Sequence, residues 1–505
     1  MLFDWFLLLK FMSTATVNRS FVAPAPIRVP VSQPAPPRVR IAAVSPCFNR
    51  RSDIVNILSD LTRLDTTGID LTFIVVDNAS TEPLSTIPIP EDIRCSVIFH
   101  RVAVNGGGAG GFNAGMRHAI ETLPLELQVR FDYIWLIDSD CRLTPSCLTQ
   151  LLHTLKMQPG LAAVGSALRD PLTGITFEVG GLVNRKNGCY GPAAHGPFLD
   201  VNTLVYCDYL AACSILARRT VLEKAGIMPE LFLNGDDVDM SLNIKAVTGM
   251  QLAGDPASVV YHPWRKFQTN ARYFIARNSF GPMARLGLSR LAVLRRALLE
   301  VFRACAQTVM SADELAELHL RGLADAAAGR TSGPAPAGIF PKLTLVPFSK
   351  LGETLAEIQG TLGRKPSLYL HPYLLRPLAG MHDLRSQVEL LELPHEPIGP
   401  WHCRVLGQFL KRELVGAAKR LLFSTPVDVA IVPTGWPTGW FRGDIQIEVA
   451  TDGYLIKRVR KWPNFFRSLN VLARGVFLSL KLAIRGPQLN VIPQLSPPPL
   501  QDDRA

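Results

Sequence analysis

FDYIWLIDSDC, residues 131–141, is the stretch whose reading decides the fold. Ile134, Trp135, Leu136 and Ile137 form an unbroken apolar run. Such a run suits a strand covered on both faces of a parallel sheet. Asp138 and Asp140 follow at its carboxyl end, the edge at which open α/β sheets bind ligands. Two acids one residue apart can hold one hard divalent cation through oxygen, and such a cation commonly carries substrate phosphates. The same Asp-Ser-Asp also reads as an Asx-type turn before a helix that starts near Thr144-Pro145.

Upstream, VRIAAVSPCF predicts a first strand. SDIVNILSDLTRL predicts a helix capped by Ser52, with Ile54, Ile57, Leu58 and Leu61 on one face. LTFIVVDNAS is a second strand ending on Asp77-Asn78, and CSVIFHRVA is a third. NGGGAGGFNAGMRHAIETL is a glycine-rich turn running into a helix, and FDYIWLID is the fourth strand. This alternation predicts a doubly wound parallel sheet. Downstream, Asp236 and Asp237 open a helix that Gly249 closes. A strand around Val259-Val260 leads to YHPW, and a helix carrying RYFIARN follows. Residues 284–327 are rich in Leu, Ala and Arg and read as helical. After the breaker GRTSGPAPAG, GDIQIEVATDGYLIKRV reads as a β-hairpin turning at Asp452-Gly453.

In their order, VVDN, GGGAGG, DSD, GDDVD and YHPW resemble the catalytic domain of glycosyltransferase family 2, which has the GT-A fold. NGGGAGGFNAG, His-Pro-Trp and RYFIARN look most like the branch that contains galactofuranosyl- and rhamnosyltransferases. The resemblance implies a GT-A type nucleotide-sugar-binding sheet with flanking helices over residues 40–285. A flexible tail, 1–39, would precede it, and a mostly helical region with a β-hairpin, 286–505, would follow.

The resemblance also implies roles. Asp77 would contact the base or ribose, though Asp-Asn is equally good turn chemistry. Asn105, Gly107, Gly108, Gly110 and Gly111 would present main-chain amides to the diphosphate, backed by a helix N-terminus. Asp138, Asp140 and His262 would hold Mn²⁺ or Mg²⁺. Asp237 would be the general base, with Asp236 as its companion. Asp239 reads as a first-turn acid, and Trp264, Arg272, Arg277 and Asn278 as lining of the acceptor or diphosphate site. The expected reaction is metal-dependent, inverting transfer of a sugar from a UDP- or dTDP-sugar to a hydroxyl of a glycan or lipid-linked glycan. Two departures stand out. Galactan-polymerising members carry a β-rich domain ahead of the catalytic one, whereas about forty residues stand there here, which leaves processive extension open. Gly235 occupies the place of an aromatic residue before the acids, so an aromatic wall would have to come from elsewhere, such as Trp264.

Gly106-x-Gly108-x-x-Gly111 also fits a dinucleotide fingerprint, which would make the protein an NAD(P)-dependent oxidoreductase. That motif normally follows the first strand of its unit, and here it follows the third. A catalytically silent, membrane-associated scaffold is a further alternative. The presence of Asp138, Asp140, Asp237 and His262 together argues against it.

A chain of 505 residues exceeds one ordinary core, and its formal charge of +11 asks for an anionic partner. Without a recognisable reader motif, nucleic acid is not expected. Nine cysteines without a CxxC pair fit a reducing cytoplasm. MLFDWFLLLKFM is too short to span a bilayer and has no cleavage site, and residues 20–38 form a Pro-rich linker. Residues 457–485 contain eight basic residues and no acid. Arg467, Arg474, Lys481 and Arg485 share one helical stripe. The stretch predicts a helix lying on an anionic membrane surface, peripheral on the cytoplasmic face.

Overall fold

The computed structural model describes residues 38–171, 174–196, 202–263, 269–309, 312–342, 344–370, 389–390, 427–433, 443–450, 453–458 and 461–498. The predicted N-terminal tail, Trp264, Arg460 and Asp452 lie outside the described residues.

Strands β1 (Val39–Cys47), β2 (Ile69–Asp77), β3 (Ser96–Arg101) and β4 (Tyr133–Ile137) form a parallel block in the order β3-β2-β1-β4. The sheet also takes in β5 (Arg142–Leu143), β6 (Leu161–Arg169), β7 (Thr176–Val183), β8 (Tyr190–Gly196), β9 (Val205–Cys207), β10 (Ser214–Arg218) and β11 (Gln251–Tyr261). The sheet is mixed rather than uniformly parallel. β10 runs antiparallel between β4 and β6, pairing Ser214 with Ile137. That register brings the residue before β10 opposite the end of β4. The Trp135 indole donates to Ser214 Oγ at 3.1 Å and fixes the pairing.

Alternation along β1 sorts side chains to two cores. Ile41 and Ala43 face α1 (Arg51–Leu61) and α4 (Cys147–Met157), against Ile54, Leu58, Leu151 and Leu155. Ala42 and Val44 face α2 (Gly107–Arg117), against Phe112 and Met116. The same second core takes in α5 (Arg219–Ala225) through Leu222 and α6 (Asp236–Thr248) through Ile244. A five-residue helix, α3 (Leu123–Leu127), extends α2 through a π-turn. α1 begins one residue before the expected cap: Arg50 is its N-cap, without a side-chain capping bond, and Ser52 lies inside the first turn.

α7 (Thr269–Asn278), α8 (Phe280–Arg285), α9 (Arg290–Val309) and α10 (Asp313–Ala328) follow, as the composition of that stretch predicts. The hairpin is also present, but it belongs to a larger element. α11 (Leu351–Leu362) covers a second sheet of β12 (Ser367–Leu370), β13 (Glu389–Leu390), β14 (Val427–Pro433), β15 (Gly443–Ala450) and β16 (Gly453–Arg458), in the order β13-β12-β14-β15-β16. Only β15 and β16 are antiparallel within it.

The last helix, α12 (Lys461–Arg485), lies on α9 and α10. Gly475 lets it approach Val301 closely. The basic stripe is not unbalanced as its sequence implies, because the acids come from other elements. Arg467 pairs with Asp313 and Arg474 with Glu317 on α10, and Lys457 pairs with Glu448 on β15. Arg485 donates to Ala327 O at 3.2 Å, at the C-terminal turn of α10. Beside the basic stripe, the outward face carries an apolar ridge: Phe466, Leu469, Phe477, Leu480 and Ile484 are 64%, 44%, 68%, 49% and 72% exposed. Among the described residues no helix is long and apolar enough to cross a membrane. Beyond α12 the chain runs back to the large sheet. Leu495 enters the second core, and Asn490 Nδ2 donates to Asp239 Oδ2 at 2.7 Å.

Candidate functional site

The site lies at the carboxyl ends of β4 and β11, beside the start of α6. Asp138 and Asp140 flank Ser139 just past β4, and His262 follows β11 directly. Pairing of β11 with β5 carries His262 to them. Its Nε2 lies 3.2 Å from Asp140 Oδ1 and 3.8 Å from Asp138 Oδ2. Asp236 and Asp237 open α6, whose positive end favours carboxylates. The residues predicted for the cation and the base are therefore brought together.

Their protonation reflects that crowding. Burial, then Asp140, raises the Asp138 carboxyl above the usual range. Burial lifts Asp237 to about 6, although the Ala212 and Val238 amides on its two oxygens favour the ionised form. Burial, then Asp237, lifts Asp236 to about 8. Burial opposes charge on His262, but the Cys213 sulfur and Asp140 hold its imidazole well above the ordinary value. The proton on His262 thus stands where positive charge is wanted. His262 Nδ1 is buried without a hydrogen-bond partner. A divalent cation fits this donor set: among the carboxylates it would take the place of the proton on His262 Nε2, the ring nitrogen that faces them.

Four neighbours were not legible from the chain. Glu178 on β7 is a carboxyl whose Oε1 is buried without a partner, and burial, then Asp237, lifts it to about 8. Arg50 reaches Asp140 Oδ2 at 3.0 Å. The Cys213 thiol donates to Asp138 Oδ2 at 3.3 Å. Tyr190, packed edge-on against Tyr209, brings its hydroxyl to 3.7 Å from where a Cβ on Gly235 would sit. It is an aromatic side chain beside the start of α6, a place for which the sequence offered Trp264. A lone acid, arginine, cysteine or tyrosine carries no spacing signal; strand pairing reveals Glu178, Cys213 and Tyr190, and the turn from β1 into α1 reveals Arg50.

Several expected lining residues prove to be braces. Arg277 is 1% exposed, stacked on Tyr273 and Phe274, and donates to Leu231 O at 2.7 Å. Asn278 Nδ2 donates to the carbonyls of Leu231, Leu233 and Asn234. Together they clamp the loop that delivers Asp236 and Asp237, so they are committed to carbonyls rather than offered to an acceptor. In that loop Phe232, Asn234 and Gly235 have φ of 70°, 64° and 86°. Non-glycine residues there cost about 1–3 kcal/mol each, which the clamp offsets. Arg272 on α7 is half-buried and feels the charge of Glu448. Asp239 is more than a first-turn acid, since it is fully buried against Arg285 and Asn490.

Asp77 is a turn acid. Its carboxylate is 2% exposed and accepts from Ser80 N, Leu84 N and Arg101. A base or ribose would have to meet the main chain beside it. The glycine-rich stretch divides in two. Asn78 Oδ1 takes the Gly106 amide and Asn105 Oδ1 the Gly107 amide, so the amides of Gly108 and Ala109 remain in the first turn of α2 for an anion. Gly111 and Gly115 serve packing, because a Cβ there would lie 2.5 Å from Pro46 Cβ and 2.2 Å from Val44 Cγ1.

The strand order and the acids at the ends of β4 and α6 define a GT-A type sheet. Residues 42–176 match glycosyl transferase family 2. No curated protein matches the chain. Among solved structures, the chain is similar to a mannosyltransferase from Pyrobaculum calidifontis in complex with GDP-Man and Mn²⁺, at 16% identity over 64% of this chain and 81% of that one, TM-score 0.34. It is also similar to S. aureus TarS 1–349 in complex with UDP-GlcNAc, at 14% identity over 69% and 88%, TM-score 0.38. GalNAc-T7 with UDP, GalNAc and Mn²⁺ matches at 12% identity over 48% and 50%, TM-score 0.36. The chemistry of the site rests on its own residues.

The two glycine roles separate experimentally. Gly107 has φ of 72°, and a Cβ there would lie 2.0 Å from Phe232 O, whereas a Cβ at Gly110 meets nothing within 4 Å. Gly107→Ala is expected to lose at least about 1–2 kcal/mol in urea unfolding. Gly110→Ala is expected to hold its stability or gain up to about 1 kcal/mol. Equal stability of both variants would contradict the contact between the glycine turn and the Phe232 loop.

Proposed function

We propose that the protein is an inverting, metal-dependent glycosyltransferase that moves a sugar from a nucleoside diphosphate, UDP or dTDP, to a hydroxyl of a lipid-linked or cell-envelope glycan. The observation that carries this reading is the convergence of two acid pairs and His262 on one sheet edge. Mn²⁺ or Mg²⁺ at Asp138, Asp140 and His262 would supply neutralisation of the charge that develops on the departing diphosphate. Arg50, 3.0 Å from Asp140, adds a cation at the same edge. The Gly108 and Ala109 amides offer the α2 N-terminus to phosphate oxygen. Asp237 accepts the proton of the acceptor hydroxyl, and the Ala212 and Val238 amides hold its carboxylate in place. Asp236, lifted to about 8, is the protonated partner that keeps the pair from carrying two charges at neutral pH. A galactofuranosyl or rhamnosyl donor is the finer reading, and NGGGAGGFNAG and RYFIARN support it.

The outward face of α12 supports a place at the cytoplasmic face of a membrane. We propose that its apolar ridge seats in an anionic bilayer, with the exposed Lys481 and the Arg474 flank at the headgroups. The apolar residues rather than the basic stripe carry the contact, because much of that stripe is paired with α10.

Two measurements check these readings. Sugar transfer from a panel of UDP- and dTDP-sugars is expected to require Mn²⁺ or Mg²⁺ and to stop in EDTA. Asp237→Asn is expected to lower kcat by roughly two to four orders of magnitude while donor binding holds. In the parent enzyme kcat/KM should fall as pH drops through the base's value, at or below about 6 because a bound cation lowers it. Activity in EDTA, or stabilisation by NAD(P)H alone, would contradict the reading. Separately, the full chain should sediment with phosphatidylglycerol vesicles at low salt. Phe477→Ser with Ile484→Ser, both at exposed positions, should weaken this at least about tenfold. Equal sedimentation of both proteins would contradict the ridge, and so would a dimer that the substitutions dissociate without any vesicle binding.

A further inference from the structure

The cation site is built from strand ends, and one of its neighbours is a sulfur. Cys213 directly precedes β10, and the pairing of Ser214 with Ile137 sets it opposite Asp138. Its Sγ, a carboxylate oxygen of Asp138 and a ring nitrogen of His262 all lie within 4.8 Å of one another. Among the described residues no other three such donors lie this close together; Asp140, whose Oδ1 is 3.2 Å from His262 Nε2, flanks the trio without joining it. Donors about 2.0–2.3 Å from a shared ion are spaced on this scale. As a hydrogen-bond donor to Asp138 the thiol is a weak one. As an ion ligand it would complete a set with the Asp138 oxygen and one imidazole, beside Asp140.

We infer that Cys213 is a direct ligand of the divalent cation, a sulfur donor added to Asp138, Asp140 and His262. The inference rests on the reading of those three residues as a cation site, and it deepens that reading by naming the metal class. An all-oxygen site suits Mg²⁺, whereas a thiolate in the shell favours softer ions. The site should therefore rank Co²⁺ and Zn²⁺ above Mn²⁺, and Mn²⁺ above Mg²⁺. Binding of the ion releases the thiol proton to solvent, so sulfur binds as thiolate with no change of oxidation state.

Cobalt provides a readout that needs no turnover. Co²⁺ titrated anaerobically into the full-length, metal-free protein should give visible d–d bands together with a near-ultraviolet sulfur-to-cobalt charge-transfer band. Cys213→Ser should lose the charge-transfer band, keep d–d bands and bind Co²⁺ at least about tenfold more weakly, with Mg²⁺ affinity unchanged. Cys141→Ser, at the thiol that donates to Cys213 O, should keep the band. The parent protein decides the matter even if a variant folds poorly. Bands of d–d type without charge transfer would overturn the sulfur ligand and leave the cation site standing. Charge transfer that persists in Cys213→Ser would overturn it too, by placing cobalt at another cysteine. No cobalt spectrum at all would overturn the cation site and this inference together.

Discussion

The structure depends on repulsion held in check at one sheet edge. Asp138, Asp140, Asp236, Asp237 and Glu178 converge where β4, β7 and α6 meet, and partial burial, deepest at Asp236, thins the water that would screen them. The protein answers in part by withholding ionisation: Asp236 and Glu178 both rise to about 8. It also recruits cations, Arg50 and the protonated His262. A divalent ion would serve the same end more fully, because it replaces a ring proton with two charges. On the proposed function, the same electrostatic need makes an anionic diphosphate welcome only once an ion is in place.

Around that edge, the scaffold is organised to hold a strained loop. Arg277 and Asn278 clamp the carbonyls of Leu231, Leu233 and Asn234, and a left-handed Phe232 presses on Gly107. The glycine turn, the helix that opens with Asp236 and Asp237, and α7 are thus one mechanical unit. The segment after α12 ties in as well, through Asn490 on Asp239, two residues past Asp237. Removing the chain from Lys457 onward would therefore strip a packed helix and this tie together, so a truncation cannot isolate a membrane anchor.

Much of this is legible in the sequence. The apolar run 134–137 ending in Asp138, the Asp236-Asp237 pair before a helix, and His262 after a strand are local patterns, and the chain keeps them local. Glu178, Cys213 and Tyr190 enter through antiparallel pairings of β7, β8 and β10, which no spacing encodes. Arg277 and Asn278 are adjacent polar residues in a motif, and sequence cannot say whether such groups face a ligand or a carbonyl. The second sheet is largely invisible because β12 and β13 are short and most of its partners are distant in the chain. In β15, Gln446 and Glu448 are buried beside Ile447 and Val449, so its alternation reads as a half-exposed hairpin when both faces are covered.

The most direct test of the acid cluster as a cation site is thermal unfolding of the metal-free protein with and without Mn²⁺, for the parent and for Asp138→Asn. A ligand at a hundred times its dissociation constant adds about 2.7 kcal/mol of stability. The expected result is that Mn²⁺ raises the midpoint of the parent. Asp138→Asn, with one repelling charge removed, should unfold at a higher temperature than the metal-free parent and gain little from Mn²⁺. A lower metal-free midpoint for Asp138→Asn, or an equal gain from Mn²⁺ in both proteins, would contradict the site.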